Sequence, residues 1–251
     1  MNSGILKRAV LLFSITAGLL LLCGPVHGGF APGSGLAGTP HDFSGISAGG
    51  VVTGLCTFCH TPHKAIEGLV YQNHTLATVT FHWCGKTETQ YGTPFPVIPF
   101  TYQGPSKICL GCHSGTLAVG NINMFNGRSW TGSSTLDSRL GGGAATPDGC
   151  IHHPHSDHPT AFPYPYQGVV SSYNGVTNNA SVISDLNPDP TASGIRLFRE
   201  EAGNIVAGPA IGRAGIECSS CHDPHNGPTV GGSGFIRGQG SLCQKCHKSI
   251  F

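Results

Sequence analysis

One five-residue pattern, Cys-x-x-Cys-His, occurs four times and constrains this chain more than any other feature. The copies are Cys56-Thr57-Phe58-Cys59-His60, Cys109-Leu110-Gly111-Cys112-His113, Cys218-Ser219-Ser220-Cys221-His222 and Cys243-Gln244-Lys245-Cys246-His247. The first and third copies extend to CHxPH, through His63 and His225, and each is followed by a plain copy. The chain therefore contains a duplicated two-site unit. Spacing differs between the units: a long insert separates Cys59 from Cys109, whereas a short Gly-rich loop separates Cys221 from Cys243.

Two thiols at this spacing add across the two vinyl groups of a haem, and the adjacent histidine then lies under the iron as an axial ligand. The competing readings are a four-cysteine zinc ribbon and thioredoxin-like dithiol chemistry. Zinc does not require a histidine directly after the second cysteine. With 14 histidines in 251 residues, four chance occurrences there have a probability on the order of 10⁻⁵. Dithiol chemistry explains one CxxC, not four. Four haem c groups are thus expected, with thioethers to Cys56, Cys59, Cys109, Cys112, Cys218, Cys221, Cys243 and Cys246. His60, His113, His222 and His247 are the expected proximal iron ligands.

The four irons take up to four further ligands. Beyond the N-terminal segment Met124 is the sole methionine, so at most one site is His/Met and the others are bis-histidine or open. Five histidines, His41, His63, His74, His158 and His225, are the candidate distal ligands. His63 and His225 stand three residues beyond a proximal histidine. Three extended residues reach about 10 Å, and the proline before each disfavours a compact turn, so each is expected to serve the next haem rather than its own. Cys84 and Cys150 fall outside the motifs. In an oxidising compartment a disulfide is the simplest use for them; free thiols or links between subunits are the alternatives.

Lys7 and Arg8 precede an apolar run over 9–22, the layout of a secretory signal, with the mature start expected near Gly29. Cys23 raises the alternative of lipoprotein cleavage, although Leu22 is bulky for such a signal. No other stretch is long and apolar enough to cross a bilayer. The formal net charge is +1, which argues against a nucleic-acid partner and against strongly steered docking. The 38 glycines and 18 prolines leave little apolar periodicity from which to build an ordinary core, so haem is expected to fill much of the interior. The predicted fold is irregular and loop-rich, with a few short helices and minimal strand, wrapped around a haem chain. Its expected divisions are a signal peptide (1–28), a first two-haem unit (29–125), a connecting region rich in Gly, Ser and Pro (126–195) and a second two-haem unit (196–251). Outside the motifs, 195–202 is read as helix-capable and 169–173 as a brief strand.

The doubled CxxCH stretch over 218–247 resembles that of multihaem cytochromes. Pro40-His41-Asp42-Phe43-Ser44, Gln72-Asn73-His74-Thr75, Gly104-Pro105-Ser106-Lys107 and Asp157-His158-Pro159 are similar to segments of tetrahaem outer-surface cytochromes of metal-reducing bacteria, some of which polymerise. The resemblance covers most of the mature chain. It implies bis-histidine haems in an unbroken line, electron transfer rather than catalysis, and extracellular or periplasmic location. It also implies head-to-tail self-assembly, with an upstream outer-membrane or periplasmic donor and an extracellular acceptor. His41, close to the mature N-terminus, is the expected ligand exchanged between subunits, and His74 the fallback. The chain departs from the expected pattern over 81–92 and 141–156, where His152, His153 and His155 cluster. A monomeric shuttle and a multihaem reductase with one open iron are the alternative functions.

Overall fold

The fold was analysed in a computed structural model, which describes residues 35–37, 39, 41–44, 47–48, 51–52, 54–60, 76, 78–85, 87–113, 118–119, 122–125, 128–130, 134–135, 150–151, 159–225, 237 and 241–249. The signal segment, Cys23, His63, His74, His152, His153, His155 and His158 lie outside them.

Among the described residues the α-helices coincide with the four motifs. They are α1 (Gly54–Thr57), α2 (Pro105–His113), α3 (Cys218–Cys221) and α4 (Leu242–Cys246). Only α2 exceeds two turns, and it begins with proline, whose fixed φ and missing N–H suit a first helical position. In the other three motifs the histidine amide closes the turn onto the carbonyl of the first cysteine, at 2.9 Å for His60, 3.0 Å for His222 and 2.8 Å for His247. One helical turn places residues i and i+3 on the same face. Both thiols of a motif therefore face one side, with the histidine at the helix end. His222 and His247 have left the helix and are extended, with φ −106° and −100°.

Strands are short and more numerous than the sequence led us to expect. β1 (Ser47–Ala48) and β2 (Val51–Val52) form an antiparallel pair. β3 (His82–Trp83) is followed by β4 (Ala118–Val119), β5 (Ile122–Phe125), β6 (Arg128–Trp130) and β7 (Ser134–Thr135). In that group β4 pairs with β7, and β5 with β6. β8 (Cys150–Ile151) lies parallel to β3, with His82 opposite Cys150. β9 (Phe162–Pro163) precedes a hairpin of β10 (Ser172–Tyr173) and β11 (Val176–Thr177). The largest sheet is four-stranded, in the order β13-β12-β14-β9, where β12 is Phe198–Glu201, β13 Asn204–Ala207 and β14 Ala214–Ile216.

β12 corrects the reading of 195–202 as helix-capable. A two-residue reverse turn joins β12 to β13, with Ala202 and Gly203 both at positive φ, 50° and 80°. That geometry matches the twist of an antiparallel hairpin, and Ile195, Leu197 and Phe198 are buried against neighbouring elements. The brief strand read at 169–173 is present over its last two residues. Loop-rich with few helices therefore describes the chain, with a small antiparallel sheet in addition.

Side chains form two buried clusters. Phe81, Ile98, Tyr102, Leu110, Ile151 and Ala161 make one, joining the first insert to α2. Phe162, Tyr164, Leu186, Ile195, Leu197 and Ile216 make the other, with Leu242 and Cys246 of the fourth motif packed against it. A conventional core thus exists in the region read as a connector, where closely spaced turns hide it from periodicity.

Candidate functional site

The first three motifs converge. α2 packs against α3, and the Cys109 and Cys218 thiols share a hydrogen bond. Cys59 lies close enough to Cys112 that its thiolate disfavours ionisation there, and Cys221 acts in the same way on Cys246. Successive motifs are therefore neighbours in space: first with second, second with third, third with fourth.

Histidines meet in pairs between these motifs. The His41 and His113 rings stand 6.0 Å apart between centroids, edge-on at 67°. The His60 and His225 rings stand 5.8 Å apart and nearly parallel, at 19°. Two imidazoles on opposite faces of one iron, each bonded at about 2 Å, hold their ring centroids roughly 6 Å apart. Both pairs match that spacing, so these residues fit the expected cofactor. Among the described residues no three His, Cys, Asp or Glu side chains converge as they would around a single zinc ion.

Two of the candidate distal histidines are placed by the structure. His225, expected to serve the next haem rather than its own, lies against His60 of the first motif. The physical cause is the packing of α2 on α3, which brings the third motif back to the first two. His41, expected to reach a neighbouring subunit, lies against His113 of its own chain. Its segment is folded rather than extended: Thr39 N–H donates to Leu36 O at 3.0 Å and Asp42 N–H to Thr39 O at 2.9 Å. Phe43 stacks on buried Phe58 of the first motif at 4.1 Å, which fixes the segment further.

The electrostatics suit neutral ligating imidazoles. Burial lowers His113 to about 4, aided by the neighbouring His41 and His222. His41 is likewise lowered, mainly by burial, and is hydrogen-bonded to the Pro224 carbonyl. A carbonyl accepting from an imidazole N–H in this way orients the ring and selects its tautomer. Burial also lowers His247. Burial pushes the Cys59 and Cys221 thiols up to about 11 and Cys112 and Cys246 up to about 12, whereas the hydrogen bond with Cys109 brings Cys218 down to about 7.

The fourth motif is docked by backbone contacts. Asn187 N–H donates to Cys246 O at 2.7 Å, and Lys248 N–H to Asp185 O at 2.8 Å. Asn187 Nδ2 reaches Gln244 O and Lys245 O at 3.1 and 2.9 Å. The third motif is held by Arg237, which pairs with Asp223 at 2.9 Å and donates to Ser219 O at 2.8 Å. Cys84 is disulfide-bonded, and the eight motif cysteines carry no disulfide. Sequence reasoning passed over Glu217, a buried carboxyl directly before the third motif. The available signal was an acidic residue at the N-cap of a CxxCH helix.

No protein-family model matches the chain, and neither a curated protein nor a solved structure is similar to it. Among the described residues no helix is long and apolar enough to cross a membrane.

Proposed function

We propose that this chain is an exported tetrahaem c-type cytochrome whose work is electron transfer. The observation that carries the reading is the meeting of His41 with His113, and of His60 with His225, at the spacing two imidazoles take across one iron. When bound, each haem supplies a one-electron Fe(III)/Fe(II) couple. The chain's own residues hold the thioether positions on one helical face, keep the imidazoles neutral by burial, and bring successive motifs into contact. Electron transfer between close, rigidly held centres needs no acid or base group above an open iron, which favours a carrier over a reductase.

The similarity to filament-forming cytochromes extends the proposal to a head-to-tail polymer at the cell surface, linking an upstream donor to an extracellular acceptor. A contact between unlike surfaces that does not close into a ring propagates as a filament. His41 is not assigned to that contact, because it faces His113 of its own chain.

The deciding experiment is expression in a host with haem-attachment machinery, followed by intact mass and low-temperature magnetic spectra. Four covalent haems, all low-spin, are expected. Replacing Cys56 and Cys59 by alanine should remove one haem by mass. A chain that matures without haem ends the proposal, and a persistent high-spin iron turns it towards the reductase. Negative-stain microscopy of secreted material tests the polymer, and uniform monomers would favour a shuttle.

A further inference from the structure

The N-termini of the second and third motif helices are joined through one buried carboxylate. Glu217 Oε2 accepts from Ser106 N–H in the first turn of α2, at 2.9 Å. Its Oε1 accepts from Tyr173 Oη at 2.6 Å and from Tyr102 Oη. In return, Cys218 N–H at the start of α3 donates to Ser106 Oγ at 3.0 Å, and Glu217 N–H donates to Ser220 Oγ at 2.9 Å. The Ser106 hydroxyl also contacts Thr160 Oγ1 at 2.6 Å, which approaches the Cys218 sulfur at 3.4 Å. Ser106, Ser220 and Tyr173 are fully buried, and Glu217 nearly so. Each helix start is thus satisfied by a side chain from the other motif.

This arrangement is unusual for a carboxylate so deeply enclosed. Burying it without partners is strongly unfavourable, and here three donors from two distant segments compensate. A helix start can be capped by its own preceding residue, as Asn179 and Asp189 do elsewhere in this chain. The exchange of caps between α2 and α3 instead couples two sites more than a hundred residues apart in sequence. The hydrogen-bonded Cys109 and Cys218 thiols, which stand for thioether sulfurs in the mature protein, lie beside this junction. Whatever orients the two helix starts therefore orients the two cofactors attached to them.

We propose that Glu217 is a positioning residue, locking the second and third CxxCH sites together by this exchange of caps so that electron passage between them depends on it. The inference rests on the cytochrome reading given above. Without the carboxylate, Ser106 N–H and two phenolic hydroxyls lose their acceptor inside the protein, and the two helices are free to shift. A supporting shell left incomplete loosens a site by about 1 Å, and coupling between neighbouring chromophores falls steeply with distance and angle.

The test uses the full, haem-loaded chain and compares wild type with Glu217→Ala and Glu217→Gln. Intact mass counts the haems, and the Soret circular-dichroism couplet reads their mutual geometry. A variant lacking the second haem, Cys109→Ala with Cys112→Ala, defines the share of the couplet that involves that site. Glu217→Ala is expected to keep four haems and to lose about half or more of that share, the shift expected of a loosened supporting shell. Glu217→Gln, which retains shape and an acceptor, is expected to keep it. Glu217→Ala with four haems and a wild-type couplet overturns the inference while leaving the cytochrome reading intact. Absence of haem from the wild type removes that reading itself. Should Glu217→Ala not fold, Tyr102→Phe combined with Tyr173→Phe replaces it, and an unchanged couplet there overturns the inference equally.

Discussion

At the scale of single residues, the histidine pairs make a prediction that separates this arrangement from the one expected from order along the chain. If His225 and His60 belong to one iron, His225→Ala produces a high-spin signal in the full chain. The same substitution adds none when the first haem has been removed by Cys56→Ala and Cys59→Ala, because residues acting at one site are not additive. Independent signals in that combined variant would assign His225 elsewhere. Glu217 supplies the pH dependence. Burial raises its carboxyl above the ordinary 4.5, against the opposing hydrogen bonds from Ser106, Tyr102 and Tyr173. The folded protein then keeps a proton that the unfolded chain releases, so stability is full below about 4.5 and is lost as pH rises through the raised folded value. Glutamine does not titrate. Denaturant midpoints of wild type and Glu217→Gln should therefore diverge as pH rises from 4.5, with the wild type losing ground; parallel curves would contradict a raised Glu217 carboxyl.

At the scale of elements, the small sheet behaves as a platform for the third motif. β14 runs directly into Glu217 and α3, and pairs with both β12 and β9. Gly215, at its centre, lies under the Tyr173 ring so closely that a Cβ would overlap Cγ and both Cδ atoms. Tyr173 is fully enclosed and has nowhere to move. Gly215→Ala should accordingly destabilise by about 1–3 kcal/mol, the usual range for overpacking a tight interior. It should also displace the Tyr173 hydroxyl from Glu217. Thermal unfolding followed by near-ultraviolet circular dichroism measures both effects, and a stability equal to wild type would show that the sheet yields more easily than its packing implies.

The whole molecule is tied together by links between segments far apart in sequence. Cys84 is disulfide-bonded, and the parallel pairing of β3 with β8 sets Cys150 opposite His82, with Cys84 N–H donating to Ile151 O at 3.3 Å. Cys150 is the partner expected from the sequence. Cys84→Ser should cost about 2–4 kcal/mol, as expected for closing a long loop, and Cys84→Ser with Cys150→Ser should cost no more. A double variant clearly less stable than the single would show that Cys150 contributes separately.

What the sequence by itself determined is local geometry: four CxxCH copies set two thiols and a following histidine within about one helical turn, and short-range geometry is local by nature. The loop-rich character followed as well, from 38 glycines and 18 prolines. Partnership was decided only by tertiary structure. His41 and His225 were both candidates on paper, and nothing within a few residues of either says which distant motif it meets. In the fold His41 lies against His113 and His225 against His60. The packing of α2 on α3 gives Glu217 its role, since its acceptor oxygens matter only where Ser106, Tyr102 and Tyr173 arrive from elsewhere in the chain. The strand over Phe198–Glu201 was missed for a related reason: a four-residue segment has too few side chains to display a period, and its burial comes from neighbours that sequence order does not reveal.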